Sequence, residues 1–243
     1  MDRTLTAKIR LYVDHSLGEG QSLPLTREQA HYLFGVMRLG VGAVLKVFDG
    51  QSGEWLAEVS DAGKRGGTLH VLRNLRPLHL PPDLWLVFAP IKKSRTDFIV
   101  EKAVEMGAAH LLPVQTEFTN SGRIQRQRLQ AHAIEAAEQS ESTFVPQVSE
   151  MERLDRVLSN WDPARKILFC DEAQAGEVSV FPREPGPWAI FIGPEGGFSD
   201  RERTKLIDLP YSHSVSLGPR ILRADTAVVA AMALWQNAMG DWQ

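Results

Sequence analysis

The stretch "FIGPEGGFSDRE", residues 191–202, joins the end of an apolar run to three glycines and then to a helix start. Ser199 and Glu202 stand three apart, the spacing of a capping box, in which each side chain satisfies a backbone N–H of the first helical turn. A strand, a glycine loop at its carboxyl end and a capped helix form the basic connection of a parallel α/β sheet, where ligands sit beyond the carboxyl ends of the strands. The loop lacks the Lys followed by Ser or Thr of a P-loop, and the spacing Gly193, Gly196, Gly197 is not that of a dinucleotide fingerprint. The capping box also leaves fewer N–H groups free for an anion, and the carboxylate of Glu195 repels one. The ligand expected at this loop is therefore neutral or cationic. A turn that uses glycine for backbone geometry alone is the competing reading.

On both sides of this stretch, apolar runs alternate with amphipathic helices. "LWLVFAP" leads to "RTDFIVEKAVEMG", where Phe98, Ile99, Ala103, Val104 and Met106 recur at helical spacing and Gly107 stands at the C-cap position. "HLLPV" leads to "RLQAHAIEAAEQS", and "KILFCD" and "WAIFIG" precede the helix "DRERTKLIDL", the strand "SHSVSLG" and a last helix, "DTAVVAAMALWQNAM". Near-continuous apolar strands between helices predict a parallel sheet covered on both faces.

Before Asp83 the pattern differs. "IRLYV", "AVLKVFDG", "EWLAEVS" and "GTLHVL" are short β-type runs separated by glycines, with one helical piece, "TREQAHYLFGVMR", among them, and they predict a small barrel. "RPLHLPPD" then places three prolines in a stiff connection suited to a domain boundary near Leu78–Asp83. The expected domains are residues 1–78 and 79–243.

Composition sets the outer bounds. A chain of 243 residues that is 43% hydrophobic can bury a full core. No apolar run approaches the roughly 20 residues that span a membrane, and "MDRTLTAKIR" lacks the apolar core of a signal peptide, so a cytoplasmic address is expected. The single cysteine, Cys170, excludes an intrachain disulfide and reads as a packed hydrophobe within "KILFCD". The seven histidines show no metal-ligand spacing, and no G-x-S-x-G elbow is present, so metal and hydrolytic chemistries lose support. Net charge is −3, but residues 1–77 carry +2 and the remainder −5. Positive charge gathers locally at Lys92, Lys93 and Arg95 and at Arg123, Arg126 and Arg128, where solvated helix faces are the simplest reading of each cluster alone.

A second loop strengthens the first. "SLGPRILRADTA", residues 216–227, runs from a strand through Gly218-Pro219 to a helix start near Asp225 and sets Arg220 and Arg223 just before that start. Two arginines beside the positive end of a helix dipole call for an anion. Asp225, in a structural pair with Arg223, is one source; an RNA substrate is the other.

At these two segments the sequence resembles the bacterial 16S ribosomal RNA uridine N3-methyltransferases of the SPOUT superfamily. "HYLFGVMRLGVGAVLKVFDG" is similar to that family's PUA-like N-terminal domain, and "DFIVEKAVEMGA" and "AIEAAEQS" are similar to two further family segments. The chain departs from the family at Ser142, near a usual arginine, and at Asp225, where glutamate is usual. The resemblance implies a PUA-like RNA-binding β-barrel followed by a parallel-sheet α/β domain with a C-terminal trefoil knot. It implies S-adenosylmethionine as cofactor, held by Ile192, Gly193, Pro194, Glu195, Gly196 and Gly197 and by Leu217, Gly218, Ile221 and Leu222, with Thr116 of "PVQTEF" closing a third side. Arg223 and Arg220 are the expected catalytic groups, stabilising the uracil anion, with Glu195 and Asp225 as candidate proton acceptors. Lys92, Lys93, Arg95, Arg123 and Arg126 become RNA contacts. The implied partner is 16S rRNA in the small ribosomal subunit; another RNA nucleoside, or RNA binding without catalysis, are the alternatives. A homodimer through the last helix is expected, because Val228, Val229, Met232, Leu234, Trp235 and Met239 surround more of its circumference than one core stripe needs.

Overall fold

The computed structural model describes residues 7–63, 65–176 and 181–242. They form two compact units. One holds the described residues up to Leu80 together with Ala137–Phe144; the other holds Pro81–Ala136 and the described residues from Val145 onward.

The first unit comprises β1 (Arg10–Tyr12), β2 (Ser22–Pro24), a helical turn α1 (Arg27–Ala30) that continues as a π-helix over His31–Val36, β3 (Val44–Phe48), β4 (Glu54–Ala62) and β5 (Gly67–Arg76). Thr26 starts α1 with a capping box to Gln29. The strands pair in the order β1-β3-β4-β5-β2, with β1 and β2 as the two edges. Register shifts at three points bend the long β4–β5 pair, as β-bulges do. Leu11, Leu23, Leu33, Leu45, Val47, Val59, Leu69 and Val71 make its core. This is the small β unit that the glycine-separated runs predict.

Residues 137–144 join this unit through polar contacts that the proline-rich connection does not announce. Arg10 donates to the carbonyls of Ala137 and Ser142, at 2.5 Å each, and the His79 N–H donates to Thr143 Oγ1 at 2.9 Å. Arg10 and Arg76 also converge on the buried carboxylate of Glu54, at 2.5 and 3.0 Å.

The second unit contains β6 (Leu84–Phe88), α2 (Lys93–Glu105), β7 (His110–Gln115), most of α3 (Arg126–Gln139), β8 (Gln147–Val148), β9 (Glu152–Arg153), α4 (Leu154–Ser159), β10 (Lys166–Cys170), β11 (Trp188–Ile192), α5 (Asp200–Ile207), β12 (Ser212–Val215) and α6 (Ala224–Met239). All its strand pairs are parallel, in the order β12-β10-β11-β6-β7-β8, with β9 on β7. Every residue of β11 is buried, because helices cover both faces of the sheet: Leu154, Val157 and Leu206 pack on one face, and α6 lies against β11 and α2 on the other. Gly107 closes α2 at φ +80°, a conformation that suits glycine and lets Ala108 N–H reach the Ala103 carbonyl. No helix among the described residues is long and apolar enough to cross a membrane.

Candidate functional site

β12, β10 and β11 are neighbours in the sheet, so the loops leaving their carboxyl ends converge. Between these loops lies a cleft of about 370 Å³, within the range of about 300–1,000 Å³ usual for small-molecule sites. The loop after β11 contributes Ile192, Gly193, Pro194, Glu195 and Gly197. The loop after β12 contributes Leu217, Gly218, Arg220, Ile221, Leu222 and Arg223. The two quoted segments therefore meet across one opening.

The third side is not the one expected. Thr116 follows β7, which β6 separates from β11, and does not line this cleft, although the next residues of its loop reach the loop after β11 and the start of α5, where the Glu117 N–H donates to Glu202 at 2.9 Å. Thr116 is buried, bonds to Thr119 at 2.8 Å, and lines a separate cleft with Gln115, Arg153 and Arg201. The third side is instead the loop after β10, with Asp171, Glu172, Ala173 and Ala175. Gly196, in the same loop as Glu195 and Gly197, faces the loop after β7. It is absent from the lining, and a Cβ there would press on Phe118 at 3.3 Å.

Local chemistry holds the loops. Gly197 donates to the Pro194 carbonyl at 2.9 Å and sits at φ +70°, where a side chain would be strained and would collide with the Glu172 carboxylate. Gly218, at φ +112°, has open space where a Cβ would stand. The Gly176 N–H donates to the Gly218 carbonyl at 3.1 Å, tying the loops after β10 and β12 together. Ser199 and Glu202 form the predicted capping box, which starts α5 at the edge of the cleft.

Charge is distributed unevenly. The buried Asp171 carboxylate caps the turn over Glu172–Gln174 through the Ala173 N–H and pairs with Arg203 of α5 at 2.7 Å. Burial, and then the charge of Asp171, push the Glu172 carboxyl above its ordinary range. Glu195 and Asp200 add two more carboxylates to the lining. The loop after β12 brings Arg220 and Arg223, both exposed, and among the described residues neither guanidinium makes an ion pair. Arg223 supplies the N-cap of α6 without a side-chain capping bond. Cys170 lines the cleft, and burial pushes its thiol above the usual range, which disfavours the reactive thiolate.

The pair of Arg223 with Asp225 does not form. Asp225 instead binds Arg95 at 3.1 Å and accepts from the Thr226 N–H at 3.0 Å, joining α6 to α2. Arg95 is thereby committed inside the unit. Arg126 pairs with Glu150 at 3.1 Å and Arg128 with Asp97, whereas Lys92, Lys93 and Arg123 are exposed. Sequence reasoning missed Asp171, Glu172 and Arg203. Only the placement of β10 between β12 and β11 brings the first two to the cleft.

A family model of an RNA methyltransferase domain matches residues 79–236, and a model of an RNA methyltransferase PUA domain matches residues 25–72. Ribosomal RNA small subunit methyltransferase E of Rickettsia conorii is 29% identical over 92% of this chain and 93% of its own length. The protein of the same name from Synechocystis is 32% identical over 87% of this chain and 72% of its own length. The crystal structure of ribosomal RNA small subunit methyltransferase E from Neisseria gonorrhoeae bound to S-adenosyl methionine matches at a TM-score of 0.87 and 26% identity, covering 97% of this chain and 99% of that one. With both models in chain order over one continuous likeness, the chain belongs to the RNA methyltransferase family that includes ribosomal RNA small subunit methyltransferase E.

Proposed function

We propose that this chain transfers a methyl group from S-adenosylmethionine to N3 of a uridine in 16S ribosomal RNA. The observation that carries the reading is the cleft itself, built at the carboxyl ends of three adjacent parallel strands with carboxylates on two loops and, on the third, arginines that make no ion pair among the described residues. S-adenosylmethionine bears cationic sulfonium and ammonium groups, one carboxylate and no phosphate. Glu172 and Glu195 suit the cationic groups, and the space beside Gly218 admits a ligand where any other residue would place a side chain. When bound, the cofactor supplies a methyl carbon activated by the sulfonium.

The residues of the chain do the rest. Uridine N3 must lose its proton before or as it is methylated, and Arg223 and Arg220 stabilise the negative charge that develops on the uracil. Asp225 is held by Arg95 and Asp171 by Arg203, and of the other carboxylates lining the cleft, Glu172, Glu195 and Asp200, the first two lie on its loops and are the candidates to accept the proton. A carboxyl raised toward the working pH, as that of Glu172 is, suits a general base. Lys92, Lys93 and Arg123 supply phosphate contacts, and Arg126 can exchange its exposed Glu150 partner for one. We propose the trefoil knot and the homodimer with the same activity. The knot is supported by the path of the chain, which leaves the edge strand β12 and returns through α6 to pack on α2 and β11.

The test is mass spectrometry of 16S rRNA from cells lacking the gene, complemented with wild type or Arg223→Ala. A single 3-methyluridine that disappears and returns only with wild type is the expected result. Loss of a different modified nucleoside would assign the cleft to another target.

A further inference from the structure

The start of α6 is tied to α2 by an ion pair close to the cleft. Arg95, in the first turn of α2, donates through Nη1 to both carboxylate oxygens of Asp225, at 3.1 and 3.3 Å. Asp225 stands two residues after Arg223, whose carbonyl accepts the Ala227 N–H at 2.7 Å as α6 begins. Whatever holds Asp225 therefore holds the backbone that carries the Arg223 guanidinium to the cleft. The pair is partly shielded from water, with side chains 32% and 17% exposed, so screening weakens it less than a fully exposed pair. Arg95 also takes the carboxylate that the sequence offers to Arg223, which leaves that guanidinium without an ion pair among the described residues.

Arg95 is itself anchored beside the cleft. The Ala89 N–H donates at 3.0 Å to the carbonyl of Ile192, which lines the opening from the loop after β11. Two residues on, the Ile91 N–H donates to the buried Thr96 Oγ1 at 3.0 Å, and that hydroxyl donates back to the Ile91 carbonyl at 3.1 Å. Thr96 is the neighbour of Arg95, so a line of hydrogen bonds leads from one wall of the cleft, through Arg95, to the arginine on another.

A second tie lies at the far end of the same helices. Gln236 is fully buried, donates from Nε2 to the Met106 carbonyl at 2.7 Å and accepts the Asp241 N–H at 3.0 Å. Arg95 and Met106 stand eleven residues apart, as do Asp225 and Gln236. Eleven residues make about three helical turns, roughly 16 Å, so α2 and α6 run parallel with a tie at each end of one face. Apolar burial between them is non-directional; the polar ties set how far along α2 the helix α6 lies.

We infer that Arg95 is a positioning residue for methyl transfer: by holding Asp225 it places Arg223 at the cleft and keeps its guanidinium free for the substrate. The inference rests on the reading of Arg223 as the group that meets the developing uracil anion.

The experiment uses the full chain and follows single-turnover methyl transfer from S-adenosylmethionine to small ribosomal subunits of cells lacking the gene, with calorimetry for cofactor affinity and filter binding for the subunits. Arg95→Gln is expected to fold, since the Gln236 tie and the apolar contact remain, and to bind S-adenosylmethionine as wild type does. Its rate should fall about tenfold, as when a reacting group is misplaced, and Arg95→Lys, which keeps the charge, should regain most of it. In the Arg223→Ala background the change to glutamine should cost less than about twofold, because a residue that acts through Arg223 then has nothing to place. Asp225→Asn removes the same tie from the other side and should give the same pattern in both backgrounds. A wild-type rate in Arg95→Gln and Asp225→Asn would overturn the inference. So would an equal loss in both backgrounds, which would mark a general effect on the fold, or weaker subunit binding with the rate unchanged, which would make Arg95 a phosphate contact. A wild-type rate in Arg223→Ala would overturn the reading of Arg223 and the inference with it.

Discussion

Arg223 holds the start of α6 with its backbone and leaves its guanidinium at the cleft without an internal partner among the described residues. Its removal therefore has little to disturb in the fold. Arg223→Ala is expected to unfold within about 0.5 kcal/mol of wild type and to bind S-adenosylmethionine normally. Methyl transfer should fall by about 10²–10³, as when one preorganised donor to a developing anion is lost. Calorimetry with a turnover assay decides it; near-normal turnover would remove the catalytic role. The glycines separate in a similar way. Gly197→Ala meets strain at φ +70° and the Glu172 carboxylate, whereas Gly196→Ala meets only Phe118, so cofactor affinity should collapse in the first and change little in the second. Equal affinities in both would show that the loop yields. Residues of this kind were legible in the sequence because glycine spacing and arginines at a helix start are local signals. Asp171 and Glu172 were not, because a turn after "KILFCD" looks like any strand end until its neighbours in the sheet are known.

The longer elements of both units follow from periodicity, since strands buried on both faces read as continuous apolar runs and the helices read at 3.6-residue spacing. What escaped were β2, the two-residue strands β8 and β9 and the short α4, each too brief to set up a period, and the π geometry inside the helical piece read at residues 26–38. The return of residues 137–144 to the first unit escaped as well, because it rests on polar contacts between residues far apart in the chain, those of Arg10, Tyr12, Arg76 and His79. Arg10 also joins β1 to β4 through Glu54, and Arg76 does so from β5. Burial alone would raise the Glu54 carboxyl, but the hydrogen bonds from Arg10 and Arg76 outweigh it and hold the group below its ordinary 4.5. Burial pulls the Arg10 guanidinium down in turn, with the bond to Glu54 opposing it; the guanidinium stays charged. A carboxyl depressed by folding adds stability above its unfolded value, and that stability is lost as pH falls through the folded value. Urea midpoints are thus expected to decline below about pH 5 in wild type. Glu54→Gln should be about 3–5 kcal/mol less stable at neutral pH, since two guanidinium groups lose their buried partner, and its acid decline should be shallower. A variant with the wild-type midpoint and the wild-type acid profile would show that the network contributes nothing.

For the whole molecule, the open question is what covers the outer side of α6. Sequence periodicity counts Val228, Met232 and Trp235 among its excess apolar residues, but the structure buries all three against the chain's own core, with Trp235 only 2% exposed. Trp235→Glu would therefore break the fold and say nothing about association. The true excess is a second stripe, Val229, Ala230, Ala233 and Leu234, which runs along the helix beside the buried one and is partly exposed, with Leu234 at 43%. Its alanines allow a second helix to approach closely, and its width is what an isologous contact between two copies needs. Because α6 begins at the arginine-bearing loop, such a contact would place each cleft close to the partner subunit. Sedimentation of the wild type at micromolar concentration is expected to give a dimer, and Leu234→Glu a folded monomer with most methyl transfer lost. A monomeric wild type, or a monomeric Leu234→Glu that keeps full activity, would show that α6 completes the core of one chain and that the cleft works alone.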